Sequence, residues 1–329
     1  MPRQVLQLDP RNPGDNAIDS AASILQQGGL VVFPTETVYG LGANALDAGA
    51  VAKIFAAKGR PAGNPIIVHV AEVDDAKKLA SAWPEVAQKL AERFWPGPLT
   101  LVLPKSACVP DLVTAGGPTV AIRIPAHPVA LALLRACKLP LAAPSANRST
   151  ELSPTRPEHV IAGLGDSIDL LLDAGPTSGG LESTVLDVTT DPPRLLRPGL
   201  VTVAELEEVI GPIDRSPHAP REVSVAKSPG QMPRHYAPKT PIEVTAHSQE
   251  RVEELCAQGL RVGWLRHGEG STQRGGIVLP ADAAGYSAGL YAALHSLDNA
   301  GLDRIVVELP PDGDEWLAVH DRLKRAAVT

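Results

Sequence analysis

Residues 28–42 read Gly28-Gly29-Leu30-Val31-Val32-Phe33-Pro34-Thr35-Glu36-Thr37-Val38-Tyr39-Gly40-Leu41-Gly42, and this stretch decides how the chain is built. Upstream, Ile18, Ala21, Ala22, Ile24 and Leu25 fall at helical spacing within 17–27, and Gly28 and Gly29 stop the helix. The apolar run 30–33 then reads as a buried strand. A strand that exits directly into Thr35, Glu36 and Thr37 is where α/β proteins place ligand contacts.

The same alternation continues outward. Asp47 can cap a helix running to about 57, followed by a polar loop at 58–65, a strand at 66–70 and two helices between 74 and 95. Strands at 99–103 and 119–124, a helix at 128–137, strands at 139–143, 170–173, 184–188 and 194–196, and a helix at 203–210 complete this part. The segment 211–240 carries Pro212, Pro217, Pro220, Pro229, Pro233 and Pro238 with few apolar residues, the composition of a linker. From 241 the pattern resumes as strand, helix, strands at 261–266 and 275–279, helix 284–297, strand 304–308 and helix 315–327, a small, mainly parallel α/β unit. The expected division is 1–212 as a catalytic domain, 213–240 as a linker and 241–329 as a C-terminal domain. A chain of 329 residues exceeds the size at which one core usually stops growing, which agrees with two domains.

Bulk properties exclude several classes. A formal charge of −7 argues against a protein whose whole surface grips nucleic acid, so no stable nucleic-acid binding is expected. Cys108, Cys137 and Cys256 are too few for a disulfide framework and form no Cys-x-x-Cys pair, which fits a reducing cytoplasm. The first nine residues lack the order of a secretion signal, and no apolar run is long enough for a bilayer, so neither export nor a membrane is expected. There is no Gly-Lys dipeptide and hence no Walker A loop.

Four polar clusters carry the candidate chemistry. Lys58 and Arg60, with Asn64 and His69 downstream, follow a helix; the helix dipole alone explains cations there, whereas a phosphate clamp needs such a pair. Arg123 lies on one face of 119–124 with Thr119 and Ala121; it is either solvated at an edge or paired with an anion such as a carboxylate. Ser145 and Asn147 follow the strand ending at Ala143, with Ser153 beyond; they are common turn formers that can also ring a phosphate. Glu182-Ser183-Thr184 and Arg197-Pro198-Gly199 flank strands and are bland by themselves.

In this order the clusters resemble the threonylcarbamoyl-AMP synthases, whose catalytic domain has the YrdC-like fold, a twisted mixed sheet with helices. Lys58-x-Arg60 and Ser145-x-Asn147 match the signature pairs of that family, and Ser228 to Pro238, containing His235-Tyr236-Ala237-Pro238, matches the linker of its long form. The resemblance implies that L-threonine, bicarbonate and ATP are joined into threonylcarbamoyl-AMP with release of pyrophosphate. Downstream threonylcarbamoyl-transfer machinery then modifies tRNA. It further implies that Thr35, His69, Arg123, Ala143 and Ser183 hold threonine. Lys58, Arg60, Asn64, Thr119, Ser145, Asn147, Ser153, Arg197 and Tyr236 line the ATP side, with Lys58 and Arg60 catalytic and Tyr236 acting as a lid. Mg2+ is expected to arrive on the phosphates, Glu36 being the nearest protein carboxylate. Gly59, where a larger residue is frequent in the family, is expected to loosen the clamp.

Rival readings are an RNA-binding or ribosome-associated protein of the same fold, a carbamoyl-phosphate-dependent hydrogenase maturation protein, and a non-catalytic structural protein. The acidic charge weighs against the first, and the scarcity of Cys against the second. The third leaves the cations without an anion.

Overall fold

The computed structural model describes residues 4–216, 235–268 and 276–327. In chain order the first part contains β1 (Gln4–Gln7), α1 (Asp15–Gln26), β2 (Val31–Pro34), β3 (Tyr39–Asn44), α2 (Ala48–Lys58), β4 (Val68–His69), α3 (Val73–Leu79) and α4 (Glu85–Phe94). It continues with β5 (Leu99–Pro104), α5 (Asp111–Thr114), β6 (Thr119–Arg123), α6 (Pro128–Cys137), β7 (Leu141–Ala142), α7 (Pro157–Leu164), β8 (Leu170–Asp173), β9 (Thr184–Asp187), β10 (Arg194–Arg197) and α8 (Val203–Ile210). The strands form one mixed sheet in the order β1-β8-β2-β3-β7-β4-β6-β5-β9-β10. Alternating side chains feed two cores: Val31 and Phe33 pack with α1 and α6 on one face, and Val32 with α2, α4 and α7 on the other.

The polar exit of β2 is the turn of a hairpin, which the sequence reading did not show. β2 and β3 pair antiparallel from Val31 with Gly42 to Pro34 with Tyr39. Thr35 Oγ1 donates to Val38 O (2.6 Å) and accepts from Val38 N (3.2 Å), which closes the turn. Gly42 is required because a Cβ there would lie 2.7 Å from the Phe33 ring. The strands expected at 66–70 and 139–143 keep regular ladders only at Val68–His69 and Leu141–Ala142. Their flanks bond elsewhere, Ile66 N to Val113 O and Ala143 N to Ile67 O. β1, α5 and α7 are additional to the sequence reading.

The C-terminal part holds β11 (Ile242–Thr245), α9 (Ser248–Ala257), β12 (Val262–His267), β13 (Ile277–Leu279), α10 (Ala283–Asp298), β14 (Arg304–Glu308), a 3-10 turn (Asp314–Trp316) and α11 (Leu317–Ala326). Its sheet, β11-β14-β12-β13, is parallel throughout, as the pattern predicts. The two sheets are not separate beads. One apolar cluster joins Val38, Leu152, Leu181 and Tyr236 to Leu290, Tyr291, Leu294, Val319 and Leu323.

Gly180 sits at this junction with φ +76°, and a Cβ on it would lie 2.2 Å from Ser287 O and 2.5 Å from the Ala288 Cα of α10. Both contacts are backbone, so neither can rotate away. Gly180→Ala is therefore expected to destabilise the chain by about 1–3 kcal/mol, read as a lower midpoint in urea; an unchanged midpoint would show that the junction yields.

Candidate functional site

The site is built where strand ends from distant parts of the chain meet. β7, β4 and β6 are neighbours in the sheet, and His69 pairs with Arg123 across the β4–β6 register. The turn after β2, the loop after β7 and the ends of β9 and β10 close around them. The resulting cavity is lined by Thr35, Thr37, Arg60, His69, Arg123, Ala143, Ser145, Glu182, Ser183, Arg197, His235 and Tyr236, with Val38, Gly40, Ile67 and Pro144.

Its cations are buried and individually anchored. Arg123 is 3 % exposed; its Nε donates to Gly97 O (3.1 Å), its Nη1 to Thr37 Oγ1 (3.0 Å), and its Nη2 lies 2.6 Å from Glu36 Oε1. That last contact is an ion pair at an angle too poor for a hydrogen bond, and both Glu36 oxygens are buried without a hydrogen-bond partner. Arg60 donates from Nε to Asn64 O (3.1 Å) and from Nη2 to Pro65 O (2.7 Å). Arg197 donates from Nε and Nη2 to Ser183 O (3.2 and 2.9 Å), from Nη2 to Ser183 Oγ (3.2 Å) and from Nη1 to Tyr236 Oη (3.5 Å). Burial, partly offset by Tyr236 and reinforced by Arg197, lowers the Arg60 pKa to about 10. The His69 ring, edge-on to Phe33, is pushed down to about 3 by burial and by Arg123, so it is neutral at pH 7.

Lys58 does not line the cavity. Its Nζ donates to Ser145 O (2.6 Å) and Asn147 O, stapling the Ser-x-Asn loop to the end of α2, and burial lowers its pKa well below the ordinary lysine value. Gly59, expected to loosen the pair, is the left-handed residue that terminates α2 (φ 61°) and frees Arg60 to turn into the cavity. Asn64, Asn147 and Ser153 also stand outside the lining. Asn147 Nδ2 donates to Arg148 O and Glu151 O (2.7 and 2.8 Å), and Ser153 Oγ donates to Glu182 Oε1 (2.5 Å). Thr119 starts β6, four residues before Arg123, and is not among the residues that line the cavity.

Glu182 is the functional side chain that sequence reasoning passed over in favour of Ser183. Among the described residues that line the cavity it is the only acid. Besides Ser153, it accepts from Tyr291 Oη (3.2 Å to each oxygen) and Arg322 Nε (2.7 Å), both from the C-terminal part. No local signal could have shown this, because the partners are 109 and 140 residues away. Of the linker, residues 217–234, including Ser228 to Arg234, lie outside the described residues. Tyr236 is buried with φ 59°, held by Arg322 over its ring (4.8 Å) and by Tyr291 (6.0 Å between centroids).

No group of three His, Cys, Asp or Glu side chains able to hold a metal occurs among the described residues. Glu36 and Glu182 each pair with an arginine. An anion-directed cavity lined, among the described residues, by Arg60, Arg123 and Arg197, on a YrdC-like sheet joined to a second α/β unit, defines the class.

The comparisons agree. A family model described as Telomere recombination (Sua5_yciO_yrdC) matches residues 23–199, and one described as Threonylcarbamoyl-AMP synthase, C-terminal domain, matches 201–328. The chain is 46% identical to the threonylcarbamoyl-AMP synthase of Pyrococcus abyssi (strain GE5 / Orsay) over 317 residues, 93% of each chain. It is 45% identical to that of Bacillus subtilis (strain 168) over 333 residues, covering 97% of this chain and 95% of that one. The crystal structure of P. abyssi Sua5 complexed with L-threonine superposes with a TM-score of 0.92 at 43% identity, covering 98% of this chain and 97% of that one. The chain belongs to the threonylcarbamoyl-AMP synthase family.

The environment of Glu182 sets a pH dependence. Burial alone would raise its pKa, but Arg322, Arg197 and the Ser153 hydroxyl outweigh burial and hold it at about 2, below the ordinary 4.5. A depressed carboxylate contributes stability that is present above pH 4.5 and is lost as pH falls towards 2. Glu182→Gln, which strands Arg322, is expected to cost about 3–5 kcal/mol at pH 7, with the gap to the parent protein shrinking between pH 4.5 and 2. Denaturant titrations across that range check it; a gap independent of pH would remove the ion pair from the account.

Proposed function

We propose that the protein condenses L-threonine, bicarbonate and ATP into threonylcarbamoyl-AMP and pyrophosphate, supplying the activated group that downstream machinery transfers to tRNA next to the anticodon. The observation that carries this reading is the convergence of Arg60, Arg123 and Arg197 with the Ser145 and Ser183 hydroxyls in one buried cavity. Family membership and the threonine-bound relative support it. The setting is the cytoplasm, in keeping with the few cysteines; no helix among the described residues is long and apolar enough to cross a membrane.

Chemically, the threonine amine captures bicarbonate-derived CO2 as a carbamate. A carbamate oxygen then bonds to the α-phosphorus as the bond to pyrophosphate breaks. No protein nucleophile is needed, since positioning and charge neutralisation carry this class of reaction. Arg123 receives the threonine carboxylate in place of Glu36, beside Thr35, neutral His69 and Ser183. Arg60, Ser145 and Arg197 face the phosphates, Lys58 and Asn147 hold the Ser145 loop in register, and Mg2+ enters as part of the MgATP substrate. Tyr236 covers the site and keeps water from the mixed anhydride.

Incubation with labelled bicarbonate, threonine and MgATP should give threonine-dependent pyrophosphate release and a labile labelled adenylate. Arg123→Met should raise the threonine KM at least about tenfold, the loss of one charge-assisted pair, with the ATP KM little changed. Pyrophosphate release indifferent to threonine contradicts the proposal. For Tyr236→Ala, nucleotide handling and product lifetime should suffer more than threonine binding; unaltered kinetics would take Tyr236 out of the mechanism.

A further inference from the structure

Glu182 poses an electrostatic problem for the site as read above. A carboxylate on the wall of a cavity that takes a triphosphate repels that ligand and competes for the cations meant for it. Arg197, whose charge helps hold Glu182 ionised, is one such cation. The structure resolves the conflict from outside the catalytic sheet. Arg322, on α11, is 1 % exposed and is itself fixed on three sides, by Glu182, by Asp321 Oδ2 (2.7 Å from Nη1) and by Pro198 O (3.1 Å from Nη2). Tyr291, on α10, adds a hydroxyl to both oxygens of the same carboxylate, and Ser153 takes one of them from the other side.

We propose that Arg322 is a positioning residue for the nucleotide half of the reaction: by neutralising and tethering Glu182 it keeps that carboxylate off Arg197 and Arg60, so that both remain directed at the triphosphate. This inference rests on the reading of the cavity as an ATP site. It assigns the C-terminal domain a task in substrate binding, which its own surface does not suggest. An interdomain staple with no such task would lower stability when broken and would weaken both substrates alike. Charge sequestration predicts something narrower, because freeing Glu182 harms the phosphate cations while Arg123, on β6 with its own partner Glu36, keeps the threonine carboxylate.

The test measures binding of α,β-methylene ATP and of L-threonine, by calorimetry, to the full chain and to Arg322→Met, Glu182→Gln and the double variant. Arg322→Met should weaken the nucleotide about tenfold or more and leave threonine within about twofold. Adding Glu182→Gln to it should return nucleotide affinity to near the parent value, since both members of the pair are then neutral. Equal loss of both ligands in Arg322→Met, or no recovery in the double variant, overturns the inference while leaving the ATP reading intact. Failure of the parent chain to bind the nucleotide overturns both. If Arg322→Met alone does not fold, the double variant decides: near-parent nucleotide affinity supports sequestration, and a tenfold loss contradicts it.

Discussion

Putting positive charge out of reach of water is the constraint on which the rest of this structure depends. Lys58, Arg60, Arg123 and Arg197 are 2, 8, 3 and 3 % exposed, and groups of this kind are costly to bury unless hydrogen-bonded and balanced. The fold meets the first requirement with backbone carbonyls. Ser145, Asn147, Asn64, Pro65, Gly97 and Ser183 each turn a carbonyl oxygen onto one of these side chains. Carbonyl dipoles orient a cation without cancelling it, so the cavity keeps a positive potential and rigid donors. That combination stabilises developing negative charge with little reorganisation.

Much of the architecture follows from this need. The carbonyls come from the loops beside strand ends: Ser145 and Asn147 follow β7, Asn64 and Pro65 precede β4, Gly97 precedes β5 and Ser183 precedes β9. Left-handed Gly59 ends α2 where Lys58 turns to the Ser145 loop and Arg60 to the cavity. The C-terminal domain belongs to the same scheme, since its Arg322 and Tyr291 hold Glu182 on the wall, and Tyr236 is packed between it and Arg197. What looks along the chain like an accessory domain is, in space, part of the site's charge balance.

The sequence made some of this legible and hid the rest for identifiable reasons. Alternation along 119–124 placed Arg123 with Ala121, and the structure puts Ala121 in a small core away from Val120, Ile122 and Ile124, as the pattern requires. The same alternation could not say that Arg123 lines the cavity while Thr119, on the shared face, does not. β3 was invisible because Tyr39 to Ala43 is buried on both faces and so shows no period. β1 was hidden by the opposite problem, an edge strand with little burial. Lys58 and Arg60 read as one clamp because they are neighbours, yet α2 ends between them and sends them to different partners. The hold of Tyr291 and Arg322 on Glu182 was beyond reach, both partners being more than a hundred positions away.

The most direct measurement is a structure of the protein with L-threonine and a nonhydrolysable ATP analogue bound together. The account predicts phosphate oxygens on Arg60 and Arg197, the threonine carboxylate on Arg123 with Glu36 displaced, and Glu182 still held by Arg322. Phosphates seated away from those arginines, or both ligands bound outside the cavity, would contradict it.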